Sequence, residues 1–271
     1  MGTLRPAHVA AAVAFVLGAV VLLFAGPLTS SSASSTSKPV KVGSPTAASQ
    51  AWTADLATYV ARLDRTLVVF GDSISARYND VTGDDLQGYW SMVADDLGAE
   101  PRVYAEGGAG FVNHGLAGCV GHTFGEQLAT PRVKELVRHA GALLVEGGRT
   151  DTQTCAGGGD YALIPDWQLR DAVDRFFAKV ARLRGAHDRC TFVLVPWGPA
   201  GLADNRERVK YVVSQAVQRY GFTFIYTDGL LTDETTIEDR VHPTYWGNRS
   251  LANAVLDGGD ARSCIQGVPA P

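Results

Sequence analysis

No stretch of this 271-residue sequence is dense in lysine or arginine. Lysine and arginine total 24 against 28 aspartates and glutamates, a formal net charge of −4, so the electrostatic footprint of a nucleic-acid binder is missing. No unit recurs at a fixed spacing, which excludes solenoids and propellers. Cysteine is scarce, at four residues. Long apolar runs are scarcer still: there is one, Val9–Gly26, preceded by Arg5 and His8. Hydrophobic residues at 46% and charged residues at 19% are ordinary globular usage, enough for one large domain or two small ones.

The apolar run is long for a signal-peptide core and slightly short for a spanning helix. Residues 1–28 therefore read as a signal peptide or a membrane anchor, with small residues at Ser31-Ser32-Ala33 suited to cleavage. Either reading carries the rest of the chain across a membrane, because the positive charge precedes the run. Residues 29–50 are rich in Ser, Thr, Ala and Pro; they form no core pattern and read as a disordered spacer. The folded domain is expected over 51–271, extracytoplasmic, secreted or membrane-anchored. The only membrane contact expected is through the N-terminal segment.

Within that domain, apolar residues at helical spacing predict a first helix over Trp52–Leu63. The run Thr66-Leu67-Val68-Val69-Phe70 reads as a strand buried on both faces. Further strands are expected at Arg102–Ala105, Ala142–Glu146, Thr191–Val195 and Phe222–Tyr226, and helices at Tyr89–Leu97, Thr130–His139, Asp166–Leu183, Val209–Tyr220 and Thr244–Leu256. Strands alternating with helices predict a parallel sheet covered on both faces. Each strand ends in a Gly-, Pro- or Asp-rich loop, and those loops gather at the edge where open α/β sheets place ligands.

Ser73 follows the first strand in Gly71-Asp72-Ser73. It is a nucleophile or a cap for the next helix. A nucleophile needs a base, an acid to orient the base, and donors for the oxyanion. His139 and His187 lie at helix ends away from the loop edge, whereas His114 and His122 lie on a loop at the correct edge. His242 stands in Asp239-Arg240-Val241-His242-Pro243, after the fifth strand, with an acid three residues ahead that can reach its Nδ1. Asp72 reads as a turn residue, and Glu146 and Asp151 as packing and turn residues. Trp90, Phe111, Trp197, Tyr245 and Trp246 lie in or near the loop edge, as lining of an acyl or sugar pocket or as core and rim.

The first and last of these blocks resemble the SGNH hydrolases, also called GDSL lipases/esterases. Gly71-Asp72-Ser73-Ile74-Ser75 matches the first, and Asp239-Arg240-Val241-His242-Pro243, continuing to Gly247, the last. The second block is Ala105-Glu106-Gly107-Gly108-Ala109-Gly110, which keeps the glycines of the family's Asn-x-Gly-x-x-Gly and loses its asparagine. The third is Gly148-Arg149-Thr150-Asp151, with Thr150 where the family has its oxyanion-hole asparagine. The resemblance covers about Leu67 to Val255 and implies a three-layer α/β/α fold with a five-stranded, flavodoxin-like parallel sheet. It implies Ser73 as nucleophile, His242 as base, Asp239 as orienting acid, and oxyanion donors at the Ser73 and Gly110 N–H groups, with Thr150 in the third place. Phe111, Trp197 and Tyr245 are the expected substrate-binding residues.

The expected activity is hydrolysis of a carboxylic ester of a small molecule, lipid or glycan through an acyl-enzyme. No metal or organic cofactor is called for, and a monomer is expected. An envelope acyltransferase, or a weakly or non-catalytic glycan-binding relative of the same fold, is the alternative. For the cysteines, Cys119 and Cys155 follow strands at the carboxyl edge, while Cys190 precedes a strand and Cys264 follows the last helix at the opposite edge. Topology therefore favours Cys119–Cys155 and Cys190–Cys264.

Overall fold

The computed structural model describes residues 63–76, 88–115, 119–155, 161–185, 187–200, 203–259 and 261–265. The N-terminal apolar run, the spacer and nearly all of the helix expected over Trp52–Leu63 lie outside the described residues. No described helix is long and apolar enough to cross a membrane.

The strands are β1 (Thr66–Gly71), β2 (Glu100–Ala105), β3 (Ala142–Glu146), β4 (Gln153–Cys155), β5 (Tyr161–Leu163), β6 (Thr191–Leu194) and β7 (Thr223–Ile225). Five of them form one parallel sheet in the order β2-β1-β3-β6-β7, the flavodoxin-like order. β1 and β3 are buried at every position, as near-continuous apolar strands inside a three-layer fold must be. β2 is the edge and is largely exposed.

The helices are α1 (Ser73–Ala76), α2 (Tyr89–Leu97), α3 (Phe124–Gln127), α4 (Pro131–His139), α5 (Asp166–Arg184), α6 (Ala203–Tyr220), α7 (Tyr245–Gly258) and α8 (Ala261–Cys264). Because side chains alternate along a strand, β1 sends Val68 and Phe70 into one core and Leu67 and Val69 into the other. The first core is closed by α4, α5 and α6, and the second by α2, α7 and α8. The α5 stripe Leu169, Val173, Phe176, Phe177 and Val180 is buried at i, i+4, i+7, i+8 and i+11 spacing. Phe176 and Phe177 each contribute about 1.5–3 kcal/mol by leaving water.

Several elements depart from expectation. Gln153–Cys155 and Tyr161–Leu163 form an antiparallel pair, too short to carry a periodic signal. Phe124–Gln127 is a single turn held by a capping box between Thr123 and Glu126. α6 starts six residues before the expected Val209, because Asp204 to Arg208 contain no apolar residue to give a helical period. At the amino edge of the sheet, Cys190 and Cys264 form a disulfide across 74 residues of sequence. Cys119 is also disulfide-bonded; its expected partner, Cys155, has a side chain outside the described ones.

Candidate active site

β1 runs into Gly71, where an added Cβ would lie 2.2 Å from the Ser75 hydroxyl and 2.9 Å from Glu146 Oε2, so only glycine fits. Asp72 then turns the chain: its Oδ1 accepts from the Ile74 N–H at 2.9 Å, and its carbonyl accepts from the Ala76 N–H at 2.9 Å. Ser73 becomes the first residue of α1, half-buried at the carboxyl edge of the sheet beside the β1/β3 pairing, where the strand order switches direction. Its own N–H has no partner among the described residues.

From the far end of the chain, Asp239–Pro243 comes back over this turn. Asp239 Oδ1 accepts from the Val241 and His242 N–H groups at 2.8 and 2.9 Å, and Oδ2 meets His242 Nδ1 at 2.5 Å. Arg240, at φ 58°, supplies the left-handed step that folds the segment so tightly. His242 Nε2 lies 2.8 Å from Ser73 Oγ. Partial burial alone would raise the Asp239 carboxyl, but the hydrogen bonds from the His242 ring and from the His242 and Val241 backbone outweigh it and hold the group below its usual value. An ionised Asp239 makes Nδ1 the protonated nitrogen. Nε2 is then an acceptor, and the Ser73 hydroxyl donates to it.

The opposite wall is Glu106–Asn113 together with the turn Arg149–Thr152. Asp151 is fully buried and accepts three backbone donors: Phe111 N–H on Oδ2 at 2.8 Å, and Val112 and Asn113 N–H on Oδ1 at 2.8 and 3.0 Å. Burial raises Asp151 to about 6, against the pull of those three bonds. The Gly110 N–H donates to the Asn113 carbonyl at 3.0 Å. The Thr150 hydroxyl donates to the Ala109 carbonyl at 2.8 Å, and the Asn113 carboxamide donates to the Thr150 carbonyl. Gly110 and Thr150, expected as oxyanion donors, thus spend their protons inside the loop. The reason is local: three N–H groups converging on one carboxylate close the loop on itself. Gly107 lies over Ser73, its notional Cβ 3.9 Å from Ser73 Cβ.

The expected substrate-binding aromatics divide. Phe111 is a core residue, ringed by Phe124, Phe176 and Phe177 at centroid distances of 5.2 to 5.6 Å. Trp197 is likewise buried in the first core. Both follow their strands closely enough to remain under the helical layer. Tyr245 is half-buried, and Trp246 beside it is 68% exposed, their rings edge-to-face at 5.2 Å. Neither of the loop histidines reaches Ser73: His114 pairs with Glu126 at 3.2 Å and His122 with Glu106 at 2.9 Å. Among the described residues, no group of three or more His, Cys, Asp or Glu side chains is arranged to hold a metal ion.

A layer beneath Ser73 was read in sequence only as packing and turn. Glu146 is fully buried and touches Asp72, Ser75 and, through Ser75, Tyr89. An acid ending an otherwise apolar strand, Ala142–Glu146, is the signal that could have found it.

No family model matches the sequence. One curated relative, tRNA N6-adenosine threonylcarbamoyltransferase of Streptococcus agalactiae serotype III (strain NEM316), is 34% identical over 107 residues. That match takes in 35% of this chain and 32% of the relative, so the chain spans about a third of its length. Solved structures give a broader likeness. A carbohydrate esterase family 2 enzyme of Corynascus thermopiles (Myceliophthora fergusii) superposes with TM-score 0.53 at 17% identity, over 74% of this chain and 66% of the other. The lipase/acylhydrolase of Enterococcus faecalis gives 0.51 at 16% identity, over 76% of this chain and 100% of the other. An α/β hydrolase from the metagenome of Lake Arreo gives 0.50 at 16% identity, over 75% and 97%. At these identities the likeness is one of fold.

Proposed function

We propose that this chain, which has the fold of the SGNH hydrolases, is a serine esterase acting on a carboxylic ester, exported from the cell. The observation that carries this reading is the unbroken contact from Asp239 through His242 to Ser73 Oγ. Ser73 Oγ attacks the ester carbonyl as its proton passes to His242 Nε2. Asp239 keeps the ring in the tautomer that can accept it and stabilises the imidazolium. His242 returns the proton to the leaving alcohol as the C–O bond breaks, which leaves an acyl-Ser73. Water then attacks with His242 again taking the proton, and the acid departs with Ser73 Oγ reprotonated. The Ser73 N–H is the donor ready for the oxyanion.

The carbohydrate esterase among the fold neighbours and the exposed Trp246 close behind His242 favour an acyl group carried on a sugar. The disulfides support an oxidising, extracytoplasmic setting. A second reading has one specific support: with the Gly110 and Thr150 donors turned inward, the domain would bind glycan and turn over slowly. Turnover of p-nitrophenyl acetate by the full-length protein, set beside Ser73→Ala, decides between them. Release of p-nitrophenol that needs Ser73, with a fluorophosphonate adduct on Ser73 by mass spectrometry, is the expected result. No turnover and no adduct in the folded wild type would leave the binding reading.

A further inference from the structure

Glu146 closes β3, and its carboxyl group is sealed from solvent. Oε2 accepts from the Ser75 hydroxyl at 2.8 Å and from the Asp72 N–H at 3.2 Å. Oε1 accepts from no protein donor. Asp72 is 1% exposed and stands in the same condition: Oδ1 takes the Ile74 N–H, and Oδ2 takes nothing. The Asp72 N–H bond to Oε2 holds the two buried carboxyl groups side by side, each with one oxygen that no protein donor reaches. An ionised carboxyl only accepts, so a proton on one of the two would give these neighbouring unpartnered oxygens a donor between them. Two adjacent charges sealed inside the protein would also be too costly to bury.

We propose that Asp72 and Glu146 hold a single proton between them and act as a positioning pair for the nucleophile, with Glu146 neutral and donating to an ionised Asp72. The surroundings choose which acid keeps the proton. Asp72 is faced by the Ile74 N–H, by Arg149 from the turn after β3 and by His242 from the loop before α7, with Asp151 as an opposing charge. Glu146 is faced only by neutral donors, Ser75 and the backbone of Asp72, with Tyr89 of α2 behind them. Burial and the Asp72 charge accordingly push Glu146 well above the usual carboxylate value, while burial raises Asp72 against Ile74, Arg149 and His242.

The pair reaches Ser73 through its turn. Ser75 gives its proton to Glu146, so the hydroxyl bond between Ser75 and Tyr89, 2.9 Å long, is donated by Tyr89. The Trp90 indole donates to the Ser75 carbonyl at 3.0 Å. The Tyr89 N–H donates to Asn248 Oδ1 at 3.0 Å, which brings α7 into the same network. Gly71 to Ser75 is thereby fixed from below to α2, α7 and β3. The neutral acid is what lets one residue serve the Asp72 carboxylate as donor and the turn as acceptor.

Infrared spectroscopy and steady-state kinetics on the full-length protein test this together. The carbonyl stretch of a protonated carboxylic acid should persist in the wild type at about pH 8, where ordinary carboxyls are ionised, and vanish in Glu146→Gln. The carboxamide reproduces the neutral acid, donating to Asp72 and accepting from Ser75. Glu146→Gln should therefore keep kcat on p-nitrophenyl acetate within about threefold of wild type. Glu146→Leu should lower kcat by at least about tenfold with KM within about twofold, the pattern of a misplaced nucleophile. Absence of the protonated-acid band in the wild type at that pH overturns the proposal, as does a folded Glu146→Gln as impaired as Glu146→Leu. The kinetic arm rests on the esterase reading and the infrared arm does not. A wild type that shows the band without turnover would thus refute the activity and leave the proton pair standing.

Discussion

The two walls beside Ser73 are built on opposite plans. On one, Asp239 and His242 line up side chains that aim outward at the nucleophile, from a five-residue turn with its own internal bonds. On the other, Asp151, Asn113, Thr150 and Gly110 aim at each other. The first wall is ready to move a proton. The second is a closed hydrogen-bond knot that offers an incoming oxyanion little beyond the Ser73 N–H. On the proposed esterase reading, nucleophile activation and oxyanion stabilisation are therefore separable here, and the two walls should respond differently to substitution.

The sharpest test is on the outward-facing wall. Ser73→Ala and His242→Ala should each lower kcat on an activated ester by about 10⁵–10⁶, and Asp239→Asn by about 10⁴, because the first two act as a unit and the acid only orients. His114→Ala and His122→Ala should stay active. A dead His122→Ala beside a working His242→Ala would dissolve the comparison.

The inward-facing wall should show itself in stability. Alanine at Gly110 would place a methyl 2.4 Å from Asp151 Oδ1, and Asp151→Ala would orphan three backbone N–H groups, two of them buried and one partly buried. Each should cost about 2–5 kcal/mol in urea unfolding. Gly107→Ala meets only Ser73 Cβ at 3.9 Å; it should fold normally and lose kcat/KM chiefly on bulky acyl groups.

A smaller effect is a matter of pH. Asp151, raised from 3.8 to about 6, binds its proton more tightly in the folded protein than in the unfolded chain. Its contribution to stability is complete below pH 3.8 and is lost as the pH rises through about 6. Carbon-detected NMR of the Asp151 carboxyl should show a midpoint near 6. A midpoint near 3.8 would mean that the three N–H donors overcome burial.

Smallest of all should be Thr150. With its hydroxyl spent on Ala109, Thr150→Val should change kcat by no more than about threefold. Thr150→Asn should raise kcat several-fold at constant KM if its amide clears the loop and donates to the oxyanion. A large loss in a folded Thr150→Val would place the threonine in the reaction after all.

The same contrast explains what could be read from sequence. The parallel sheet covered on both faces followed from apolar strands alternating with amphipathic helices, because burial on two faces leaves a pattern in composition; its strand order came from the family resemblance. The Asp239–His242 pairing was legible because its spacing is local. The knot around Asp151 joins residues about forty apart through backbone N–H groups, and backbone donors leave no trace in residue identity. Phe111 and Trp197 misled for a related reason: an aromatic after a strand looks the same whether it turns to the cleft or to the core. Glu146 did carry a visible mark, a charge ending an apolar run, but its partner lies 74 positions away.

The Cys190–Cys264 bridge has a consequence for a clipped molecule. Everything that carries His242 lies inside the covalent ring it closes, while Ser73 lies outside. A protease cutting an exposed loop between the two cysteines would leave one molecule with its base still tethered to its nucleophile. The damage would surface only when a reductant opened the ring and the fragments parted.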